Sequence, residues 1–75
     1  MQPGYYVKAI WDEEASVWCS ESNIPGLVIE ANNLLEFENL MNELAPEMLS
    51  ANEGIHNARV PVQFDVHRTR QFAIA

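Results

Sequence analysis

The fold is decided by residues 5–21, which read YYVKAIWDEEASVWCSE. Side chains alternate between apolar and polar before and after the central acidic run, which is the pattern of two β-strands joined by a polar turn. The sequence therefore predicts a β-hairpin at the start of the chain.

The register of this hairpin determines which side chains are buried. We predict that Trp11 lies opposite Val17 and that Ala9 lies opposite Cys19. This register keeps both apolar sets on one face, whereas a slip that sets Trp18 opposite Ala9 mixes the faces. It also directs Cys19 into the core as a structural thiol and leaves Trp18 on the other face of the sheet.

A turn and a short third strand are predicted after the hairpin. Pro25 and Gly26 suit the two central positions of a type II turn, because proline presets φ and glycine accepts a positive φ. Residues 27–30 then read LVIE and form a short strand.

One amphipathic helix follows. Asn33 is a good N-cap, and Glu36 three residues later completes a pattern like a capping box. Pro46 interrupts the run, but the apolar residues keep their phase across it, so we predict one kinked helix that ends near Asn52 before Gly54. The apolar residues at helical spacing are Phe37, Leu40, Met41, Leu44, Met48 and Leu49.

The last segment, residues 60–74, alternates strictly at first; Arg68 and Arg70 then break the apolar face, and Phe72 and Ile74 resume it. The segment predicts a long final strand, with Pro61 near its start as on an edge strand. Element order is then β-β-β-α-β, an α+β fold. A right-handed crossover through the helix places the last strand beside the first. We predict a mixed four-stranded sheet of order 3-2-1-4, with the helix on one face only.

Bulk properties limit the classes of function. The 75 residues make one domain, and the formal net charge is −7. No Lys or Arg lies between Lys8 and Arg59, so the middle of the chain repels phosphates and anionic lipid and attracts basic partners. That same interval holds ten acidic residues: Asp12, Glu13, Glu14, Glu21, Glu30, Glu36, Glu38, Glu43, Glu47 and Glu53.

Cellular location is predicted from features that the sequence lacks. Residues 1–5 do not begin a signal peptide, and no apolar stretch approaches the roughly 20 residues that span a bilayer. A single cysteine, Cys19, allows no internal disulfide. We expect a cytoplasmic protein that does not bind membranes.

The chain resembles the HicB-like superfamily over almost its whole length, and within it a small bacterial family of unknown function. The resemblance rests on the order and spacing of residues 11–18, WDEEASVW, residues 22–27, SNIPGL, and Glu30-Ala31, followed by an amphipathic helix with a proline inside it. It implies a partial ribonuclease-H-like fold, which agrees with the element order predicted above.

Many HicB-like proteins are antitoxins that mask a small basic toxin ribonuclease, and the resemblance implies an antitoxin-like role here. Typical members carry a further DNA-binding segment, whereas this sequence stops at Ala75 within its last predicted strand. We therefore expect one domain over residues 1–75, a protein partner and no direct binding of nucleic acid. The alternative is a stand-alone homo-oligomer without a toxin partner.

Candidate catalytic groups are few. Two-metal chemistry needs several converging carboxylates, but the first strand supplies only Asp12, at its end, and the last strand only Asp65. Asp65 and His67 share a strand face, but two ligands do not make a zinc site. Cys19 lacks the basic surroundings of a nucleophile. We expect no enzyme activity, no cofactor and no metal.

Two sets of residues are candidates for protein contacts. The sheet face away from the helix should display Tyr6, Ile10 and Trp18, since one helix covers only one face. The second half of the last strand extends beyond its neighbour, so a two-fold contact between final strands would pair its backbone. The candidate dimer strand contains Arg68, Arg70, Phe72 and Ile74.

Overall fold

The computed structural model describes residues 4–75 and confirms the α+β fold with the order β-β-β-α-β. The sheet order is β3-β2-β1-β4; β1 pairs antiparallel with β2 and parallel with β4. Residues 1–3, on which the signal-peptide interpretation rests, lie outside the described residues. The elements are β1 Tyr5–Asp12, β2 Val17–Ser22, β3 Glu30–Ala31, α1 Leu34–Glu53 and β4 Val62–His67.

The predicted register of the hairpin is wrong by one residue. Trp11 lies opposite Trp18, and Ala9 lies opposite Ser20. Trp18 is therefore on the helix side of the sheet, where it is only 6% exposed, and Cys19 is on the other side.

The turn explains this register. The carboxylate of Asp12 accepts hydrogen bonds from the backbone N–H groups of Glu14 (3.1 Å) and Ala15 (3.2 Å), and its carbonyl accepts one from Ser16 (2.8 Å). Ser16 adopts a positive φ of 56°. These bonds close the loop so that Asp12 faces Val17. The resulting register buries Trp18 instead of Val17, which removes more apolar surface from water.

Helix α1 begins and ends as its caps predict. The side chain of Asn33 accepts a hydrogen bond from the Glu36 N–H at 2.8 Å. At the other end, Gly54 has φ 64° and its N–H donates to the carbonyl of Leu49. The helix is continuous through Pro46.

The core lies between α1 and one face of the sheet. Val7 and Phe37 are fully buried, and the Phe37 ring stacks on Phe64 with centroids 6.0 Å apart. Val17, which the predicted register placed on the same face as Trp11, lies on the other face of the sheet. The buried apolar residues are Val7, Ala9, Trp18, Ile24, Leu27, Ile29, Ala31, Phe37, Ala45 and Leu49.

The third strand, Glu30–Ala31, is shorter than the predicted residues 27–30 and begins three residues later. The turn before it is confirmed: the Leu27 N–H donates to the Ile24 carbonyl at 3.2 Å, and Gly26 has φ 82°. Regular pairing is confined to β3, because the N–H of Ile29 bonds to the hydroxyl of Ser20 (2.8 Å) rather than to a strand carbonyl.

The fourth strand is also shorter than the predicted 60–74. Its last pair with β1 joins Ile10 to His67, after which the Arg68 side chain stacks on the Trp11 ring at 4.4 Å from the centroid. Residues 68–75, here called the C-terminal tail, have no strand partner within the described chain.

Candidate functional site

The sheet face away from α1 is the first candidate surface, here called the acidic face. Alternation along each strand places its members on one side, as the observed register requires. Its members are Tyr6, Lys8, Ile10, Asp12, Val17, Cys19, Glu21, Glu30, Gln63, Asp65 and His67.

The charge of this face is negative. Among the described residues it carries the carboxylates of Asp12, Glu21, Glu30 and Asp65, against the single ammonium group of Lys8. That ammonium group lies 3.7 Å from a carboxylate oxygen of Glu21. It also lies 5.4 Å from the centre of the Tyr6 ring. Since the one lysine is already paired, the face presents uncompensated carboxylates to a partner.

The middle of the acidic face is apolar. Ile10 is 37% exposed, with Cys19 opposite it on β2 and His67 opposite it on β4. Of the three predicted interface residues, Tyr6 and Ile10 lie on this face. Trp18 does not, because the corrected register buries it under α1.

Cys19 lies beside Ile10 at that centre. Desolvation raises the pKa of its thiol, and the negative charges of Asp12 and Glu30 raise it further. A raised pKa keeps the thiol protonated at neutral pH, which makes it a weak nucleophile and a weak metal ligand. Within residues 4–75, no group of three or more His, Cys, Asp or Glu side chains could hold a metal ion.

A groove on the other side of the sheet is the second candidate surface, here called the helix–β4 groove. It has a volume of about 750 Å³ and lies between α1, the connection that follows it and β4. Four of its thirteen lining residues are polar, and the other nine are apolar. The polar ones are Asn42, Ser50, His56 and Asn57, and the apolar ones are Met41, Ala45, Pro46, Leu49, Ile55, Ala58, Val60, Val62 and Phe64.

Two polar residues of the groove interact with each other. The Ser50 hydroxyl lies 3.0 Å from Nδ1 of His56. Among the described residues no carboxylate is hydrogen-bonded to His56, so the pair lacks the group that orients the histidine of a catalytic triad. The bond instead ties the last turns of α1 to the connection that leads to β4.

The C-terminal tail, which follows β4, carries two highly exposed apolar side chains. Phe72 is 78% exposed and Ile74 is 91% exposed. Arg68 lies over Trp11 and 6.0 Å from the Trp18 ring centre, on the helix side of the sheet. Lys8 lies on the opposite side of the sheet and therefore forms no basic cluster with Arg68.

Residues 4–74 match the family described as Domain of unknown function (DUF1902). The chain belongs to this family. Both candidate surfaces, the acidic face and the helix–β4 groove, lie inside the matched DUF1902 segment. No curated protein matches the chain.

One solved structure is similar to this DUF1902 chain over nearly its full length. It is the hypothetical protein TTHA1013 from the extremely thermophilic bacterium Thermus thermophilus, 34% identical, with a TM-score of 0.68. The similarity covers 96% of this chain and 100% of the other. No helix in the described part of our chain is long and apolar enough to cross a membrane.

Proposed function

We propose that this protein is an antitoxin-like binding module whose acidic face holds a small basic protein. The observation that carries the proposal is the composition of that face: an exposed apolar centre at Ile10 surrounded by four carboxylates, with the only lysine paired. Exposed apolar surface inside a charged rim is the usual composition of a protein-binding patch.

The electrostatics favour a basic partner for two reasons. A negative surface accelerates the encounter with a positively charged protein and repels nucleic acid. The apolar centre around Ile10 and Tyr6 then supplies contact area that does not depend on salt. The partner class follows from the resemblance to HicB-like antitoxins, which mask small basic toxin ribonucleases.

The test is a neutralisation assay in the native host background. A short basic open reading frame beside this gene, if toxic when expressed alone, should be neutralised by co-expression of this chain. Replacing Glu21 and Glu30 together by Lys should abolish neutralisation and binding, because both carboxylates border the apolar centre.

The matched control carries the same charge change elsewhere. Glu43 and Glu47 are exposed on α1, away from the acidic face, and their replacement by Lys should leave neutralisation intact. Loss of activity in both variants would attribute the effect to net charge alone. Full activity of the Glu21→Lys/Glu30→Lys variant would show that the partner binds elsewhere.

The second candidate function is a stand-alone homo-oligomer without a toxin partner. The exposed Phe72 and Ile74 favour it. A gene neighbourhood without any short basic reading frame, together with a stable oligomer in solution, would select this alternative.

A further inference from the structure

We infer that two copies of this chain exchange their C-terminal tails, each placing Phe72 and Ile74 in the helix–β4 groove of the other. This inference goes beyond the proposed function, because it concerns the opposite side of the sheet and a partner of identical sequence. It rests on the tail's composition, its direction and the free edge of β4.

The tail has the composition of a segment that binds an apolar surface, because it exposes large apolar side chains. Phe72 and Ile74 are 78% and 91% exposed, while nearby Val66 of β4 is 48% exposed. Isolated exposed apolar residues are common, but three on one short segment beside an apolar groove are not. The radius of gyration is 14.4 Å, whereas a compact chain of this length has about 11 Å.

The tail points away from its own groove. The groove is lined by Val62 and Phe64, which pair with the beginning of β1. The tail passes Glu13, beyond the other end of that strand. These two ends are about 25 Å apart for a strand of eight residues. When a second copy lies antiparallel along β4, its tail reaches this groove directly, and the tail does not have to fold back.

The edge of the sheet supports the same arrangement. β4 has β1 as its only neighbour among the described elements, so its outer edge offers unpaired backbone groups. An added strand satisfies them, and a two-fold axis closes the assembly at two copies. Such a strand runs antiparallel to β4, and directly opposed side chains then share a face.

One register satisfies the side chains best. Centring the two-fold axis on His67 sets Phe72 opposite Val62 and Ile74 opposite Val60, both of which line the groove. Centring it one residue later would oppose the two copies of Arg68, which is unfavourable for like charges.

Charge complementarity favours a second copy over an unrelated partner. Helix α1, one wall of the groove, contains five acidic residues and no Lys or Arg. The tail carries Arg68 and Arg70 and no acidic residue. In the proposed register Arg70 lies opposite Phe64, beside the acidic helix of the other copy.

Sedimentation measures the assembly. The full chain should be dimeric at micromolar concentration, and Phe72→Ser/Ile74→Ser should be monomeric while keeping its circular dichroism spectrum. The control Val28→Ser/Leu35→Ser also removes two exposed apolar side chains, 80% and 69% exposed, and should remain dimeric. A monomeric full chain, or a dimer that survives the tail variant, would overturn the inference.

Disulfide trapping tests the register. In a Cys19→Ser background, His67→Cys should form a disulfide-linked dimer under mild oxidation, since the axis brings the two copies of this residue together. Gln63→Cys lies on the same strand face but opposes residue 71, so it should cross-link far more slowly. Equal rates for the two variants would refute the proposed axis.

Discussion

Replacing Trp18 by Ala tests the corrected register of the β1–β2 hairpin. The observed register buries Trp18 to 6% exposure under α1, with its ring against Trp11 at a centroid distance of 5.3 Å. The register one residue away would bury Val17 instead. The two registers therefore differ in which side chain contributes more to the free energy of unfolding: Trp18 in the observed register and Val17 in the other.

The burial of Trp18 determines how much free energy of unfolding the Trp18→Ala variant should lose. A buried Trp-to-Ala change costs about 3–5 kcal/mol. The edge-to-face contact with Trp11 contributes about 0.5–1.5 kcal/mol of such a loss. A chain of 75 residues has a free energy of unfolding of about 4–11 kcal/mol in total. Trp18→Ala should therefore lose a large share of the stability, whereas Val17→Ala, half-buried on the acidic face, should lose much less.

Urea unfolding followed by far-ultraviolet circular dichroism measures both variants without relying on tryptophan fluorescence. With an m-value of about 1–3 kcal/mol/M, Trp18→Ala should lower the midpoint by at least about 1 M. If that variant fails to fold, Trp18→Phe keeps the comparison measurable. A larger loss for Val17→Ala than for Trp18→Ala or Trp18→Phe would refute the register.

Three further predictions concern local structure. Asn33→Ala should lower the free energy of unfolding by about 1 kcal/mol in urea titration, because it removes the N-cap of α1. Gly26→Ala should cost about 1–2 kcal/mol in the same assay, since φ is +82° and the added Cβ would lie 2.8 Å from the Asn52 side-chain nitrogen. The hydrogen bond to Glu53 raises the pKa of Tyr5 above 10.0, so the neutral phenol is favoured in the folded protein. The stability that this hydrogen bond contributes is present below pH 10.0 and is lost as the pH rises through the folded-state pKa. The difference in melting temperature between wild type and Tyr5→Phe should therefore shrink at high pH.

The features predicted correctly from the sequence are those that form within a few residues. The cap at Asn33 joins it to Glu36, and the turn at Gly26 closes over four residues. Sheet order followed from the handedness of the crossover, which is a general property of such connections. Each of these features depends on local chemistry or on a rule that holds for most chains.

The hairpin register was missed because alternation alone did not decide it. Val17 and Cys19 form an apolar set on one side of β2, and Trp18 with its polar neighbours forms the other. The register is set by the hydrogen bonds around Asp12 and by the apolar area of the Trp18 ring, which is larger than that of Val17. Neither appears in a pattern of apolar and polar letters.

The helix–β4 groove could not be predicted from the sequence either. Its lining comes from α1, the connection after it and β4, and no periodicity relates Met41 to Ile55 or Phe64. The final strand was predicted too long because its alternation continues to Ile74, although β1 provides no partner after Ile10. The predicted strand nevertheless extends beyond the part that can pair with β1, which indicates that the backbone of the tail needs partners elsewhere.

The two proposals are compatible because they use opposite faces of the sheet. A two-fold axis through His67, perpendicular to the sheet, joins the two β4 edges and keeps both acidic faces on the same side. The groove contacts then lie on the helix side, where they cover neither Tyr6 nor Ile10. The dimer would thus present two acidic faces side by side, a surface that can bind two basic partners or one partner with two contact sites. Loss of the tail contacts should weaken the binding of a two-site partner far more than that of a one-site partner, since only the former depends on the effective concentration that the dimer supplies.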